Sequence, residues 1–135
     1  MYFAAVKLLN EIKLDYAKVQ LYEPKLVRIE IFSGTIIGLE ESKSMNDAIG
    51  VLSEGKECLV LIVADEFAQF DRDSSDFSAS KEGQRYTIGD ALVVKSLSQK
   101  ILANFYLKFN KPAKPTRIFT SEAEAITWLF SLEAK

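Results

Sequence analysis

The run Cys58-Leu59-Val60-Leu61-Ile62-Val63-Ala64 most restricts what this chain can fold into. It is far shorter than the roughly 20 apolar residues that a membrane-spanning helix needs. It has the length of a strand, and it lacks the polar alternate positions of a strand with one wet face. It therefore predicts a central strand covered on both sides, as parallel sheets require. A chain of 135 residues fits one domain, 1–135, and can bury a real core without disulfides or metals.

The flanking patterns supply the rest of such a domain. Lys13–Tyr22 and Leu26–Phe32 each alternate apolar and polar residues, and Glu23-Pro24-Lys25 reads as a turn between them. Together they predict an antiparallel hairpin, which Ser33-Gly34 ends. Residues 1–11 carry no firm signature and read as a poorly defined N-terminal arm, with Met1–Asn10 either a short helix or extended. Glu40–Glu54 predicts a helix, because Met45, Ala48, Ile49 and Leu52 fall on one stripe and Gly55 suits its C-terminal end. Asp65–Asp76 reads as an acidic loop, and Ser78–Gln84 as a short helix.

The C-terminal part is the most regular. It predicts a strand at Ala91–Val94, a helix at Ser98–Phe109, a turn at Asn110–Pro115, a strand at Thr116–Phe119 and a helix at Ser121–Leu132. Ser98 is the expected N-cap of the first helix, and Asn110 with Pro112 its stop. Ile101, Leu102, Phe105, Tyr106 and Phe109 share one broad face, expected to meet the core. Ser121 with Glu124 forms a capping box, and Ala125, Trp128, Leu129 and Leu132 form a buried stripe. The expected fold is α/β: one domain, a mixed and mostly parallel sheet with an N-terminal antiparallel hairpin, and helices packed on it.

Composition excludes several chemistries. Histidine is absent, which removes histidine general bases, histidine metal sites and histidine phosphorelay. A single cysteine, Cys58, cannot form an internal disulfide, so a reducing cytosol is the expected compartment. At the head of a buried strand it is expected to be a packed thiol. The N-terminus lacks a basic n-region and a cleavage site, so no signal peptide is expected.

From Ala91 onward the chain resembles the SpoIIAA-like branch of the STAS superfamily, whose fold is shared distantly with CRAL-TRIO lipid carriers. The resemblance rests on Ala91-Leu92-Val93-Val94 with Ser96, on Asn104-Phe105-Tyr106-Leu107-Lys108-Phe109-Asn110-Lys111-Pro112, on Pro115-Thr116-Arg117-Ile118-Phe119, and on Ser121-Glu122 leading to Ala125-Ile126 and Trp128-Leu129. It is nearest to an uncharacterised subgroup of Bacteroidetes-type bacteria. It implies a compact α/β domain that is usually not an enzyme, acts in regulation or ligand binding, and brings no catalytic residues or cofactors.

Phosphorylation of a serine at a helix N-terminus switches some members of that superfamily. Asp73-Ser74-Ser75 resembles the start of their motif, which makes Ser74 and Ser75 candidates, but Asp76 stands where the motif has glycine. A phosphate there would meet Asp71, Asp73 and Asp76; the simpler reading is a polar loop capping a short helix. Asp71, Asp73, Ser75 and Glu82 have EF-hand-like spacing, but the sixth position is again Asp76, and no metal is expected.

Charge is polarised. Between Ala91 and Ser121 stand six basic residues (Lys95, Lys100, Lys108, Lys111, Lys114, Arg117) and no acidic one, whereas the whole chain carries −2, so the remainder carries −8. Lys100, Asn104, Leu107, Lys108 and Lys111 are therefore the candidate surface for a protein partner or an anionic membrane. The simpler reading is a solvated helix face. No nucleic-acid partner is expected from an acidic chain without a binding module. Phe105, Tyr106, Phe109 and Trp128 are candidates to line an apolar pocket, though core packing is the simpler reading, because aromatic stripes at helical spacing usually serve the core. The expectation is a non-enzymatic regulatory or interaction module, working as a homodimer or with a protein partner. The alternative is a carrier or sensor of a lipid-like ligand that touches membranes through the lysine-rich helix. An apolar pocket under the Ser98–Phe109 helix favours the carrier; a filled core with an exposed apolar patch at Leu107 favours the module.

Overall fold

The computed structural model describes residues 7–133. Its elements are β1 (Leu8–Lys13), β2 (Ala17–Tyr22), β3 (Leu26–Ile31), β4 (Ile36–Ile37), α1 (Leu39–Leu52), β5 (Cys58–Ala64), β6 (Gln69–Phe70), α2 (Arg72–Ala79), β7 (Thr87–Val93), α3 (Leu97–Asn110), β8 (Thr116–Phe119) and α4 (Glu122–Glu133). The main sheet has six strands in the order β1-β2-β3-β5-β7-β8, and β4 pairs with β6 in a small second sheet. β1, β2 and β3 are antiparallel neighbours; β3, β5, β7 and β8 run parallel. This is the expected α/β domain with its mixed sheet.

The apolar run became β5, third from the β8 edge and covered on both faces. Cys58 and Val60 belong to the core under α1, with Val19, Val27, Ile29, Ala48, Ile49 and Leu52. Leu59, Leu61 and Val63 belong to the core under α4, with Leu26, Ala91, Val93, Ala125, Ile126 and Leu129. α1, α2 and α3 each cross between successive parallel strands in one direction, so the common handedness of such crossovers puts all three on one face. α4 returns over the other face. Ion pairs hold it at both ends: Arg28 Nε to Glu122 Oε1 at 2.7 Å, and Lys25 Nζ to Glu133 Oε1 at 2.8 Å.

Several boundaries differ from expectation. Lys13–Tyr22 is not one strand: β1 ends at Lys13, and Leu14 N–H donates to Ala17 C=O at 2.8 Å to close a turn into β2. Leu8–Asn10 are thus strand, while residues 1–6 of the expected arm lie outside the described residues. The expected loop at Asp65–Asp76 contains β6 and the start of α2, because Asp71 caps the helix by accepting from Ser74 N–H at 2.8 Å. The short helix expected at Ser78–Gln84 is instead the end of α2 followed by turns. Ser80 ends it, and its Oγ accepts from Gly83 N–H at 3.0 Å. β7 begins at Thr87, four residues before the expected start, and so includes Asp90. α3 begins after Ser96, not Ser98, and Lys111 rather than Asn110 takes the left-handed conformation at its end.

Gly50 on α1 faces the Tyr86 ring, and a Cβ there would lie 2.6 Å from a ring carbon. Glycine in a helix usually costs about 0.5–1 kcal/mol relative to alanine. Here the close approach reverses that sign. Gly50→Ala is expected to destabilise by about 1–3 kcal/mol in urea unfolding. Measured instead in a Tyr86→Ala background, the same substitution should be neutral or stabilising. Stabilisation by Gly50→Ala alone would contradict this packing.

Candidate functional site

The candidate site is α3 and what lies beneath it. α3 packs on β8, the short edge strand, and on α2. Its start is fixed by a capping box: Ser96 Oγ accepts from Gln99 N–H at 3.1 Å, and Gln99 Oε1 accepts from the N–H groups of Ser96 at 3.2 Å and Lys95 at 2.8 Å. The Gln99 amide nitrogen points the other way and donates to the carbonyls of Asp65 at 2.9 Å and Ala68 at 3.2 Å. One side chain thus joins the helix start to the segment after β5. At the other end Asn110 Nδ2 donates to Asp76 Oδ1 at 2.8 Å, tying the last turn to α2.

Gln99, Ala103, Tyr106 and Asn110 recur at helical spacing and form the inward stripe, and Ala103 is the one fully buried residue of α3. Of the face expected to enter the core, Tyr106 does point inward, but Ile101, Leu102, Phe105 and Phe109 are turned outward. Leu97 is 73% exposed, Leu102 64%, Phe105 and Phe109 59% each, and Ile101 58%. The physical reason is directional bonding. Gln99 and Asn110 each satisfy fixed partners, whereas the larger apolar residues have only non-directional burial to gain over a narrow edge strand. A contiguous apolar face of this kind on a small domain is unusual.

The other candidates are placed as follows. Lys100, Asn104, Lys108 and Lys111 are exposed along one flank of the apolar face, whereas Leu107 is half-buried and not the exposed residue expected there. Phe105 and Phe109 rings touch, with centroids 4.1 Å apart, and Lys108 Nζ lies 5.5 Å from the Phe109 centroid. The expected apolar pocket does not assemble. Phe105 and Phe109 face solvent, Tyr106 faces inward, and Trp128 lies across the sheet on α4 against Phe119. A shallow hollow lies at the start of α3, lined by Val94, Lys95, Ser96, Leu97, Lys100 and Thr120.

Ser74 and Ser75 fall in the first turn of α2. Ser74 is fully buried, its Oγ 2.5 Å from Ser42 Oγ of α1, so a phosphate there has to part α1 from α2; Ser75 is half-buried. The EF-hand-like residues do not converge: Asp71 caps α2, Asp73 and Ser75 lie within it, and Glu82 lies past its end. Among the described residues no group of three or more acidic or cysteine side chains is placed to hold a metal ion.

The sequence did not point to Asp90. It sits on β7 beside Val60 and Thr116, on the α1–α3 side of the sheet. Gln84 Nε2 donates to its Oδ2 at 3.3 Å, and Oδ1 has no hydrogen-bond partner among the described residues. Burial raises its pKa to about 6, against the lowering effect of the Gln84 bond. Its charge acts on two neighbours. The Tyr106 phenol is pushed up, by burial first and then by Asp90, and the Cys58 thiol is pushed up to about 12 by the same causes in the same order. Cys58 is therefore held as the neutral thiol. Asp65 is different: burial opposes its charge, but Lys95 Nζ at 2.7 Å prevails and lowers its pKa.

Asp90 sets a pH dependence with a definite sign. A carboxyl that binds its proton more tightly in the folded state stabilises the fold fully below its unfolded pKa. That contribution is lost as pH rises through the folded value. Between about pH 4 and 6 this site is expected to remove about 2–3 kcal/mol of stability. Asp90→Asn should abolish that fall and be the more stable protein at pH 7–8, as read from urea unfolding across pH. Parallel pH profiles for the two proteins would contradict the burial of this carboxyl.

Comparison with known proteins agrees with the architecture. No curated protein matches the chain. A structure titled an uncharacterized protein from the DUF3478 family with a SpoIIAA-like fold, from Shewanella loihica PV-4, superposes with a TM-score of 0.54 at 11% identity. The match covers 92% of this chain and 93% of that one. Such low identity carries the fold alone, and the fold is the SpoIIAA-like one that the C-terminal residues resembled. Residues 21–133 match a family model described as a domain of unknown function, DUF7793, and the chain belongs to that family.

Proposed function

We propose that this SpoIIAA-like domain is a non-enzymatic regulatory or protein-interaction module that docks through the outward face of α3. The observation that carries this reading is the row Leu97, Ile101, Phe105 and Phe109, each more than half exposed. Burying such side chains is worth about 1.5–3 kcal/mol each when complete. A chain that leaves this much apolar surface on one helix has a partner's worth of binding energy there. The candidate lysines flank the same face.

The carrier alternative needs an apolar cavity beneath α3. What lies there is a polar group, the buried Asp90 and Gln84 with the half-buried Thr116, whose Oγ1 is 3.3 Å from Gln84 Nε2. The shallow hollow at the helix start is bordered by two lysines and two hydroxyl residues. Neither suits a lipid chain, so the interaction reading is preferred.

Native mass spectrometry with in-cell photo-crosslinking tests the proposal. The purified protein is expected to show no co-purified apolar molecule. A crosslinker at position 105 should give a discrete protein adduct that Ile101→Ser with Leu102→Ser removes. A crosslinker at position 51, an exposed apolar site on α1, should give none. A stoichiometric lipid mass, or equal adduct yields from both positions, would contradict it.

A further inference from the structure

We infer that the α3 face takes an acidic amphipathic helix of a partner protein: apolar residues along one ridge, with Asp or Glu beside them. This deepens the interaction reading and rests on it. Leu97, Ile101, Phe105 and Phe109 are each four residues apart, so they form one continuous ridge, about 18 Å long at the α-helical rise. Ridges of that spacing are the elements that interdigitate when two helices pack. Leu102 widens the ridge beside Phe105 and Phe109, whose touching rings make a firm ledge near its C-terminal end.

The charges select the partner. Lys100, Lys108 and Lys111 run along one flank, and among the described residues none of the three takes part in an ion pair. Lys108 instead lies over the Phe109 ring, where its ammonium remains available to a carboxylate. No acidic residue stands between Ala91 and Ser121, so nothing on α3 itself offsets these charges. A partner helix with carboxylates on the facing flank supplies the missing charge without leaving the ridge.

The two other occupants fit less well. In a two-fold antiparallel pairing of α3 with a second copy, each flank meets its own equivalent, so the lysines of both copies crowd one rim. An anionic bilayer is broad, and it meets the rest of a chain that carries −8 outside residues 91–121. Asp65 and Asp76 lie at the two ends of the helix, each already joined to a residue on or just before α3. A narrow helix avoids that repulsion; a plane does not.

The test uses two synthetic helical peptides with the same apolar ridge, one flanked by Glu and the other by Lys. Anionic phosphatidylglycerol vesicles and sedimentation of the protein alone accompany them. The Glu peptide is expected to bind at least about tenfold more tightly than its Lys twin, with a preference that weakens at high salt. Lys100→Glu with Lys108→Glu should invert the preference, and Ile101→Ser with Phe105→Ser should abolish binding of both peptides. Circular dichroism of these surface variants should match the parent. Equal binding of the two peptides would overturn the acidic partner while leaving α3 as a docking face. Binding to neither peptide overturns the acidic partner as well. If vesicles bind or a dimer forms through α3, the occupant was misassigned; if nothing engages α3, the docking reading falls with it.

Discussion

The Gln99 side-chain amide accepts from two backbone N–H groups just before α3 and donates to two carbonyls beyond β5. These bonds fix the rotation of the helix about its own axis. Turning α3 to bury Phe105 or Phe109 would break them, as well as the Asn110–Asp76 contact at the far end. Buried polar groups left without partners are costly, so a rotation that gains apolar burial loses it again in unmet hydrogen bonds. The exposed ridge, the lysine flank and the inward Tyr106 all follow from that setting.

Beneath the helix the sheet contributes a second polar element. Gln84, itself buried, accepts from Lys114 N–H at 2.9 Å and donates toward both Asp90 and Thr116. Thr116 Oγ1 in turn donates to Lys114 C=O at 2.9 Å. This group ties the turn after α2 to the turn after α3 and to β7. An apolar interior would leave these turns free to slide; directional bonds hold them in one arrangement. The same rigidity keeps the β8 edge, and with it α3, in a defined place.

Much of this fold was legible in the sequence, because it follows from pattern. The β5 run, the β3 alternation, the α1 stripe and the strand–helix–strand–helix order after residue 91 all express burial with a regular period. The errors have a common physical origin. The early start of α2 depended on one capping aspartate, Asp71, inside what read as an acidic loop. The split of the first hairpin strand depended on a turn at Leu14–Tyr16 that carries neither Gly nor Pro. The candidate surface is half legible: charge points to the lysines, but the period that puts Ile101, Leu102, Phe105 and Phe109 on one face also points that face at the core. Periodicity says that a helix has an apolar face, not that the fold has room for it. The pair Ser96 and Gln99, a capping-box spacing, was the available signal for the true helix start. Asp90 had no comparable signal, since one aspartate before a short apolar run looks like the end of a loop.

The central claim is the orientation of α3, and thiol accessibility tests it most directly. Cys58 is buried, with its thiol pushed up to about 12, so it should give little background toward a thiol reagent. With Phe105→Cys, the new thiol should react nearly as fast as a free thiol in the native protein. With Ala103→Cys, two residues away on the same helix, reaction should wait for unfolding and be slower by orders of magnitude. Comparable rates, or the reverse order, would mean that α3 packs through its apolar ridge and that the exposed docking face does not exist.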